Sequence, residues 1–113
     1  MRTSSKLYTI GCASKAPRQG EIWLADSIPF DGGTGCKSRP VVFKKREENW
    51  FVCFKCTSQC STFRNRYPIM DLEEAGLDKD SYIDYDPIFV FREQLLYRMG
   101  VLSEEDITNF GKL

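Results

Sequence analysis

Apolar and polar side chains alternate over short stretches along most of the chain, and turn-forming residues separate these stretches. A period of two is the pattern of a β-strand with one face buried. Strands are therefore predicted over residues 20–28, 40–43, 50–57, 67–72 and 81–91. The third of these, WFVCFKCT, is apolar throughout except for Lys55, which predicts a central strand buried on much of both faces. Pro87 predicts a break or bend in the last strand.

Glycine-rich and polar segments predict the loops, at residues 29–39 and 58–66. Pro40 is placed at the first position of its strand, where its missing N–H does least harm. Residues 92–100 (REQLLYRMG) carry strong helix formers and end in glycine, which predicts a helix. Residues 103–110 (SEEDITNF) open with an S-x-x-D cap and predict a second helix. The order predicts a mainly β fold, a small and strongly curved antiparallel barrel or sheet with short C-terminal helices.

The length of 113 residues suits one domain with a modest core. No stretch approaches the roughly 18 apolar residues of a membrane span. The N-terminal segment lacks the continuous apolar core of a signal peptide. These features predict a cytoplasmic protein. Residues 1–17 are predicted to form an N-terminal extension or arm, and residues 18–113 a single domain.

Charge is segregated along the chain, although the 16 basic and 16 acidic side chains cancel overall. Residues 37–66 hold eight basic and two acidic side chains, a net charge of +6. Residues 71–113 hold eleven acidic and four basic side chains, a net charge of −7. A basic middle segment can present an anion-binding face even at neutral net charge. The alternative is that the two segments lie together in the fold and their charges cancel.

The five cysteines raise the alternative of a zinc or redox protein, because Cys53 and Cys56 form a CxxC with Cys60 nearby. Three features count against zinc. The chain has no histidine, the remaining cysteines, Cys12 and Cys36, are distant in sequence, and two residues three apart on a strand point to opposite faces. Buried, reduced thiols are the favoured interpretation, and no metal or other cofactor is predicted.

Several motifs occur in a fixed order across residues 18–110: GEIWLAD, a glycine-rich loop, KSRPVV, KCTSQ, YP and LSEEDI. Together they resemble the MazF/PemK family, the toxins of bacterial type II toxin–antitoxin pairs. The resemblance implies an SH3-like barrel, a homodimer, and metal-independent endoribonuclease activity on single-stranded RNA or mRNA. The products would be a 2′,3′-cyclic phosphate and a 5′-hydroxyl. It also implies a separately encoded antitoxin with an acidic, disordered tail.

The resemblance places the functional arginine of the family at Arg39 and the functional threonine at Thr57. A proposed proton-transfer acid of the family matches Asp86 more loosely. The chemistry of these residue types fits such roles. A guanidinium grips two phosphate oxygens, a hydroxyl donates to one, and a carboxylate accepts a proton. Pro40 also restricts Arg39 to extended backbone, which holds the charge at the mouth of a strand.

Further polar side chains near this pair are predicted to bind the substrate. They are Lys37, Ser38, Lys55, Ser58, Gln59 and Arg64. The lysines and the arginine would contact phosphate, so that affinity would fall with salt. Splayed bases would meet the loop residues, including Phe30 and Phe63.

The alternative function is a non-catalytic toxin of the CcdB type, which resembles this fold but poisons gyrase by binding it. Fold alone does not decide between the two, because one fold can carry unrelated activities. A gyrase binder has no need of an arginine and a threonine beside each other. The pair Arg39 and Thr57 therefore favours the nuclease.

Overall fold

The computed structural model describes residues 16–30, 34–59 and 65–113. The strands are β1 (Glu21–Pro29), β2 (Cys36–Arg46), β3 (Phe51–Thr57), β4 (Arg66–Pro68), β5 (Tyr82–Val90) and β6 (Leu95–Val101). Two short helices are present in this part of the chain, α1 (Leu72–Ala75) and α2 (Glu104–Phe110). No helix of the described ranges is long and apolar enough to cross a membrane. The prediction of a mainly β fold with short helices is confirmed.

The six strands form one antiparallel sheet in the order β4-β5-β3-β2-β1-β6. Only four residues connect β5, second in this order, to β6 at the far edge. Four strand spacings in a flat sheet would span about 19 Å, close to the limit of a fully extended connection of that length. Three of the four connecting residues form a 3₁₀ turn, Arg92–Gln94, which is shorter still. The sheet must therefore curl strongly, as predicted.

Each face of the sheet carries its own apolar cluster, because side chains alternate along the strands. Val42 and Phe54 belong to the cluster covered by α2, where the Phe110 ring meets the Phe54 ring edge-on with centroids 5.0 Å apart. Val41 and Cys53 belong to the cluster on the other face. The apolar run of β3 is buried from end to end, as its composition predicts.

The predicted helix over residues 92–100 is wrong, since this segment forms one 3₁₀ turn followed by β6. Pairing with β1 and burial of Leu95 outweigh the helix propensity of the segment. Gly100 is not a helix cap. A Cβ atom there would lie 2.5 Å from the carbonyl oxygen of Glu74, so glycine allows β6 to pass close to α1.

The boundaries near the glycine-rich loop also differ from the prediction. β1 continues to Pro29 and β2 already begins at Cys36, so Pro40 lies inside a strand. The pairing of β2 with β3 runs only as far as Val41 opposite Lys55. Proline has no amide proton to extend that ladder, which fits its end one residue after Pro40.

The predicted cap of the last helix is confirmed: the Ser103 hydroxyl accepts a hydrogen bond from the Asp106 amide at 3.1 Å. The Asp106 carboxylate is fully buried and accepts bonds from the Tyr67 hydroxyl at 2.6 Å, the Met70 and Asp71 amides at 3.0 Å, and the Ser103 hydroxyl at 3.1 Å. Burial alone raises the pKa of Asp106, but these donors outweigh it and the pKa is lowered. Burial and the bond to Asp106 raise the pKa of Tyr67 to about 12.

Candidate functional site

Arg39 and Thr57 lie side by side at neighbouring ends of β2 and β3. The two strands are antiparallel with Val41 opposite Lys55, so the same register two residues further on brings Arg39 opposite Thr57. The Nη1 atom of Arg39 donates a hydrogen bond to Thr57 Oγ1 at 3.4 Å. The structure thus brings together the two side chains singled out in the sequence.

The Thr57 hydroxyl is held from a second side as well. The backbone amide of Gln59 donates to Thr57 Oγ1 at 3.2 Å. A hydroxyl has two acceptor lone pairs and one proton. Since Arg39 and Gln59 both donate to this oxygen, the hydroxyl keeps its own proton to donate, and Thr57, although only 6% exposed, lines the pocket described below. This is the arrangement that a phosphate oxygen would require.

The Arg39 guanidinium lies against an aromatic ring, with its Cζ atom 5.7 Å from the centroid of Phe30. The loop that carries the ring closes through a bond from the Phe30 amide to the Gly35 carbonyl at 3.1 Å. Gly35 has φ +101°, and a Cβ atom there would lie 3.2 Å from the Phe30 ring. Glycine at this position therefore allows both the turn and the packing of Phe30 that orients Arg39.

One donor of Arg39 has no partner among the described residues: its Nε atom is buried and no group accepts its hydrogen bond. Buried donors are nearly always satisfied, and a charged one that is not carries a penalty of a few kcal/mol, about 1–3 or more. An anion beside the guanidinium would remove this penalty. Arg39 is therefore the candidate anion-binding side chain of this site.

A pocket of about 220 Å³ opens at this end of the sheet. Residues 37–40 of β2 form one side, and residues 56–58 at the end of β3 form the floor. The opposite wall comes from residues that the sequence did not single out: Leu77, Asp78, Lys79, Ser81 and Met99. No local pattern marks this wall, because the segment after α1 reaches the site only through the folding of α1 against β6.

Three more predicted residues line this pocket: Lys37, Ser38 and Ser58, all exposed. The Ser38 hydroxyl also donates to Asp26 Oδ1 at 3.3 Å. Gln59 is exposed and reaches the site through its backbone amide. Phe63 and Arg64 lie outside the described residues, so their predicted contacts are not placed.

Lys55 requires a correction. It is on the same side of β3 as Thr57, as the alternation predicts, but it is only 5% exposed. Its Nζ atom lies 3.7 Å from Asp84 Oδ2, and the Nε atom of Arg66 binds the other carboxylate oxygen. Unlike Thr57, which is similarly buried but lines the pocket, Lys55 is paired within this cluster and is not among the residues that line the pocket. Asp84 of β5 and Arg66 of β4 therefore cover the side of β3 that carries Lys55.

Asp86 is exposed on β5 and is not part of the pocket wall. Between Phe54 and Cys56 the register shifts, and a longer stretch of β5 opposes β3 there. Such an irregularity re-aims side chains. It accompanies the inward turn of Asp84, the carboxylate that meets Lys55, whereas Asp86 stays at the surface.

Of the three cysteines in the described residues, Cys53 and Cys56 are buried thiols and Cys36 is exposed. Cys53 and Cys56 belong to the clusters on opposite faces of the sheet. Burial raises the pKa of Cys53 to about 12, and burial together with the nearby Asp84 raises that of Cys56 as well. Over the described ranges, which exclude Cys12 and Cys60, no group of three or more His, Cys, Asp or Glu side chains could hold a metal ion.

No protein-family model matches the sequence, and no curated protein matches it. Among solved structures, the chain is similar to the Mycobacterium tuberculosis toxin MazF-mt6, with a TM-score of 0.61. The alignment covers 80% of this chain and 88% of that chain, and 18% of the aligned residues are identical. At this level of identity the likeness shows the fold, so this chain has the fold of a MazF toxin.

Proposed function

We propose that the protein is the toxin of a type II toxin–antitoxin system and an endoribonuclease that cleaves single-stranded RNA or mRNA without a metal ion. One observation carries this proposal. Arg39 Nη1 lies 3.4 Å from the Thr57 hydroxyl, and the buried Nε of Arg39 has no acceptor within the described part of the chain. Both side chains line one open pocket. This is a site for an anion with several oxygens, and the fold is one that a ribonuclease toxin can use.

The reaction is a transesterification within the RNA chain. The 2′-oxygen attacks the adjacent phosphorus, the bond from phosphorus to the 5′-oxygen breaks, and the products are a 2′,3′-cyclic phosphate and a 5′-hydroxyl. The proton of the 2′-hydroxyl passes to a base, and the leaving 5′-oxygen takes up a proton. Arg39 stabilises the charge on the phosphorane-like transition state, and Thr57 donates to one of its oxygens.

The reaction requires an acceptor for the proton of the 2′-hydroxyl, and two carboxylates are candidates. Asp86 was predicted from the resemblance, while Asp78 is the carboxylate that lines the pocket among the described residues. We therefore propose a direct comparison of Asp86→Asn with Asp78→Asn. A loss of about 10²–10³-fold in kcat for one variant alone identifies the acceptor. If kcat changes little in both variants, neither carboxylate is the base.

Recognition of RNA is proposed to use the exposed residues that line the pocket, Lys37, Ser38 and Ser58. Gln59 and, from the sequence alone, Arg64 are proposed to contribute as well. The Lys37 side chain is exposed and free to follow a phosphate backbone. The Phe30 ring contacts the Arg39 guanidinium, and the residue remains 39% exposed. A base can therefore stack on the exposed part of the ring.

The finer features of such a toxin are proposed on the same basis: a homodimer, a location in the cytoplasm, and an antitoxin with an acidic, disordered tail. Exposed aromatic side chains support an interface. Phe89 is 66% exposed and Phe91 is 54% exposed, more apolar surface than an isolated subunit needs to show. Sedimentation at micromolar concentration tests the dimer, and a monomer under these conditions would reject that part.

The central experiment is incubation of the purified protein with a long single-stranded RNA in EDTA. We expect discrete cleavage and 2′,3′-cyclic phosphate ends, identified by mass spectrometry. Arg39→Ala should lower the rate by about 10²–10³-fold, the usual effect of removing one donor to a developing charge. Arg46→Ala is the matched control, because Arg46 is an exposed arginine at the opposite end of the same strand. A requirement for Mg²⁺, or full activity in Arg39→Ala, would contradict the proposal.

A further inference from the structure

Three charged side chains lie in the interior next to the candidate site. Asp84 of β5 binds Lys55 of β3 at 3.7 Å and Arg66 of β4 through its other oxygen, and the three side chains are between 5% and 8% exposed. Burying charges in this way contributes little net stability compared with apolar side chains of the same size. The cluster is therefore better explained by what it fixes in place.

Arg66 uses its two ends for two different partners. Its Nε atom binds Asp84, and its Nη1 atom donates to the carbonyl oxygen of Gln59 at 2.8 Å. The carboxylate thus sets the orientation of the guanidinium fork, and the fork holds the carbonyl group of Gln59. This ties the segment after β3 to the first residue of β4.

The same residue, Gln59, holds the Thr57 hydroxyl through its amide at 3.2 Å. A continuous series of contacts therefore runs from Asp84 through Arg66 and Gln59 to Thr57, and from there to Arg39. The carbonyl and the amide of Gln59 lie in neighbouring peptide groups joined at its Cα. Release of the carbonyl therefore lets the backbone of Gln59 move, and with it the amide that donates to Thr57.

We propose that Arg66 and Asp84 are positioning residues for Thr57: the buried carboxylate orients Arg66, which holds the backbone of Gln59 at its carbonyl, and the amide of the same residue donates to the Thr57 hydroxyl. This rests on the proposed function for its effect on catalysis, but the positional effect on Gln59 and Thr57 is independent of it. Neither residue touches the substrate in this role.

The test is Arg66→Lys in the full chain. Lysine keeps the charge, but a single ammonium cannot span the Asp84 carboxylate and the Gln59 carbonyl as the fork does. We expect kcat for RNA cleavage to fall by about 10²-fold, the effect of a misplacement of about 1 Å, with KM changed by no more than about threefold. Arg98→Lys is the matched control, since Arg98 also binds a carboxylate through Nε, that of Glu21 at 2.8 Å, but at the surface.

A second readout does not depend on activity. The readout is hydrogen exchange of the Gln59 amide, measured by NMR on isotope-labelled protein. The exchange rate should rise by about tenfold in Arg66→Lys and stay unchanged in Arg98→Lys. Asp84→Asn should act in the same direction, and where that variant does not fold, Arg66→Lys decides.

The outcomes separate the two proposals. If the wild type cleaves RNA and Arg66→Lys cleaves it with the same kcat, the positioning role is rejected while the nuclease stands. If the wild type does not cleave RNA, the nuclease is rejected, and the Gln59 exchange rate alone decides the positioning role. An unchanged exchange rate in Arg66→Lys overturns it in either case.

Discussion

Asp106 and Arg39 are both charged side chains held between several elements, but their surroundings are opposite. Four donors meet the two oxygens of Asp106, from β4, the segment after it and the cap of α2. Arg39 makes one long hydrogen bond to Thr57 and keeps a buried Nε without an acceptor in the described part of the chain. The oxygens of Asp106 are therefore satisfied within the fold, whereas Arg39 keeps a donor without an acceptor, as the proposed anion site requires.

The difference separates structural from functional polar groups by a physical criterion. A buried charge whose donors and acceptors are all matched stabilises the fold and has nothing left to offer a substrate. A buried donor without an acceptor costs stability in the free protein and recovers it on binding. The Lys55, Asp84 and Arg66 cluster is intermediate, since it is internally paired but extends one contact towards the site.

The largest expected effect is on stability, when the buried Asp106 carboxylate is removed. Asp106→Ala should lower the free energy of unfolding by about 3–5 kcal/mol, because four donors lose their acceptor in the interior. Urea denaturation of the purified variant measures it. Glu105→Ala, at an exposed position of the same helix, should change the value by less than about 0.5 kcal/mol. A loss below about 1 kcal/mol in Asp106→Ala would show that Asp106 does not anchor α2.

Sequence patterns predicted the helix that carries Asp106, but they did not predict β6, whose Met99 lines the pocket beside Arg39. The S-x-x-D cap identified α2 because its signal is local: Ser103 and Asp106 are three residues apart. The strand β6 was mistaken for a helix because its state depends on pairing with β1, about 75 residues earlier in the chain. Local propensity contains no information on such a partner.

The next largest effect concerns the open site. Thr57→Val keeps the volume of the side chain but removes the acceptor for Arg39 Nη1 and the Gln59 amide. We expect the rate of RNA cleavage to fall by about 10²-fold. The free energy of unfolding should fall by about 1–2 kcal/mol. Thr57→Ser, which keeps the hydroxyl, should retain most of the activity. Thr108→Val, the same change at an exposed position of α2, is the control and should be fully active.

In the candidate site, as in the fold, local patterns predicted some residues correctly, whereas the outcome at others depended on distant parts of the chain. Motif order and strand alternation predicted the residues on β2 and β3, and the structure places Arg39 and Thr57 in contact. Lys55 was assigned to the substrate because alternation gives the side of a strand but not what covers it. Its cover comes from Asp84 and Arg66, which reach it only after β4 and β5 are in place. One carboxylate of the acidic segment, Asp84, thus pairs inside the fold with two cations of the basic segment, while Lys37 and Arg39 line the pocket.

The pH dependence of stability sharpens the contrast further. The pKa of Asp106 is lowered in the folded protein, so the unfolded chain, with an aspartate pKa of about 3.9, takes up a proton first as the pH falls. The stabilisation by Asp106 is therefore complete above about pH 4 and disappears as the pH falls through the folded value. The difference in unfolding free energy between the wild type and Asp106→Asn should shrink in that window, as measured by urea titrations from pH 7 to pH 3. Parallel curves would show that Asp106 has the same pKa in both states.

The smallest expected effect tests whether the open site extends along an RNA backbone. Lys37→Gln should weaken binding of a non-cleavable 2′-deoxy oligonucleotide in EDTA and reduce the slope of log Kd against log salt by about 0.7, the value for one phosphate contact on a single strand. Unfolding should be unchanged, because Lys37 is exposed. Lys45→Gln is the control, since Lys45 is also exposed on β2 but lies 3.4 Å from Glu47 and away from the pocket. If both variants lose the same slope, the attraction is a general property of the basic strand. If only Lys37→Gln loses it, the phosphate path runs from the pocket mouth past Arg39.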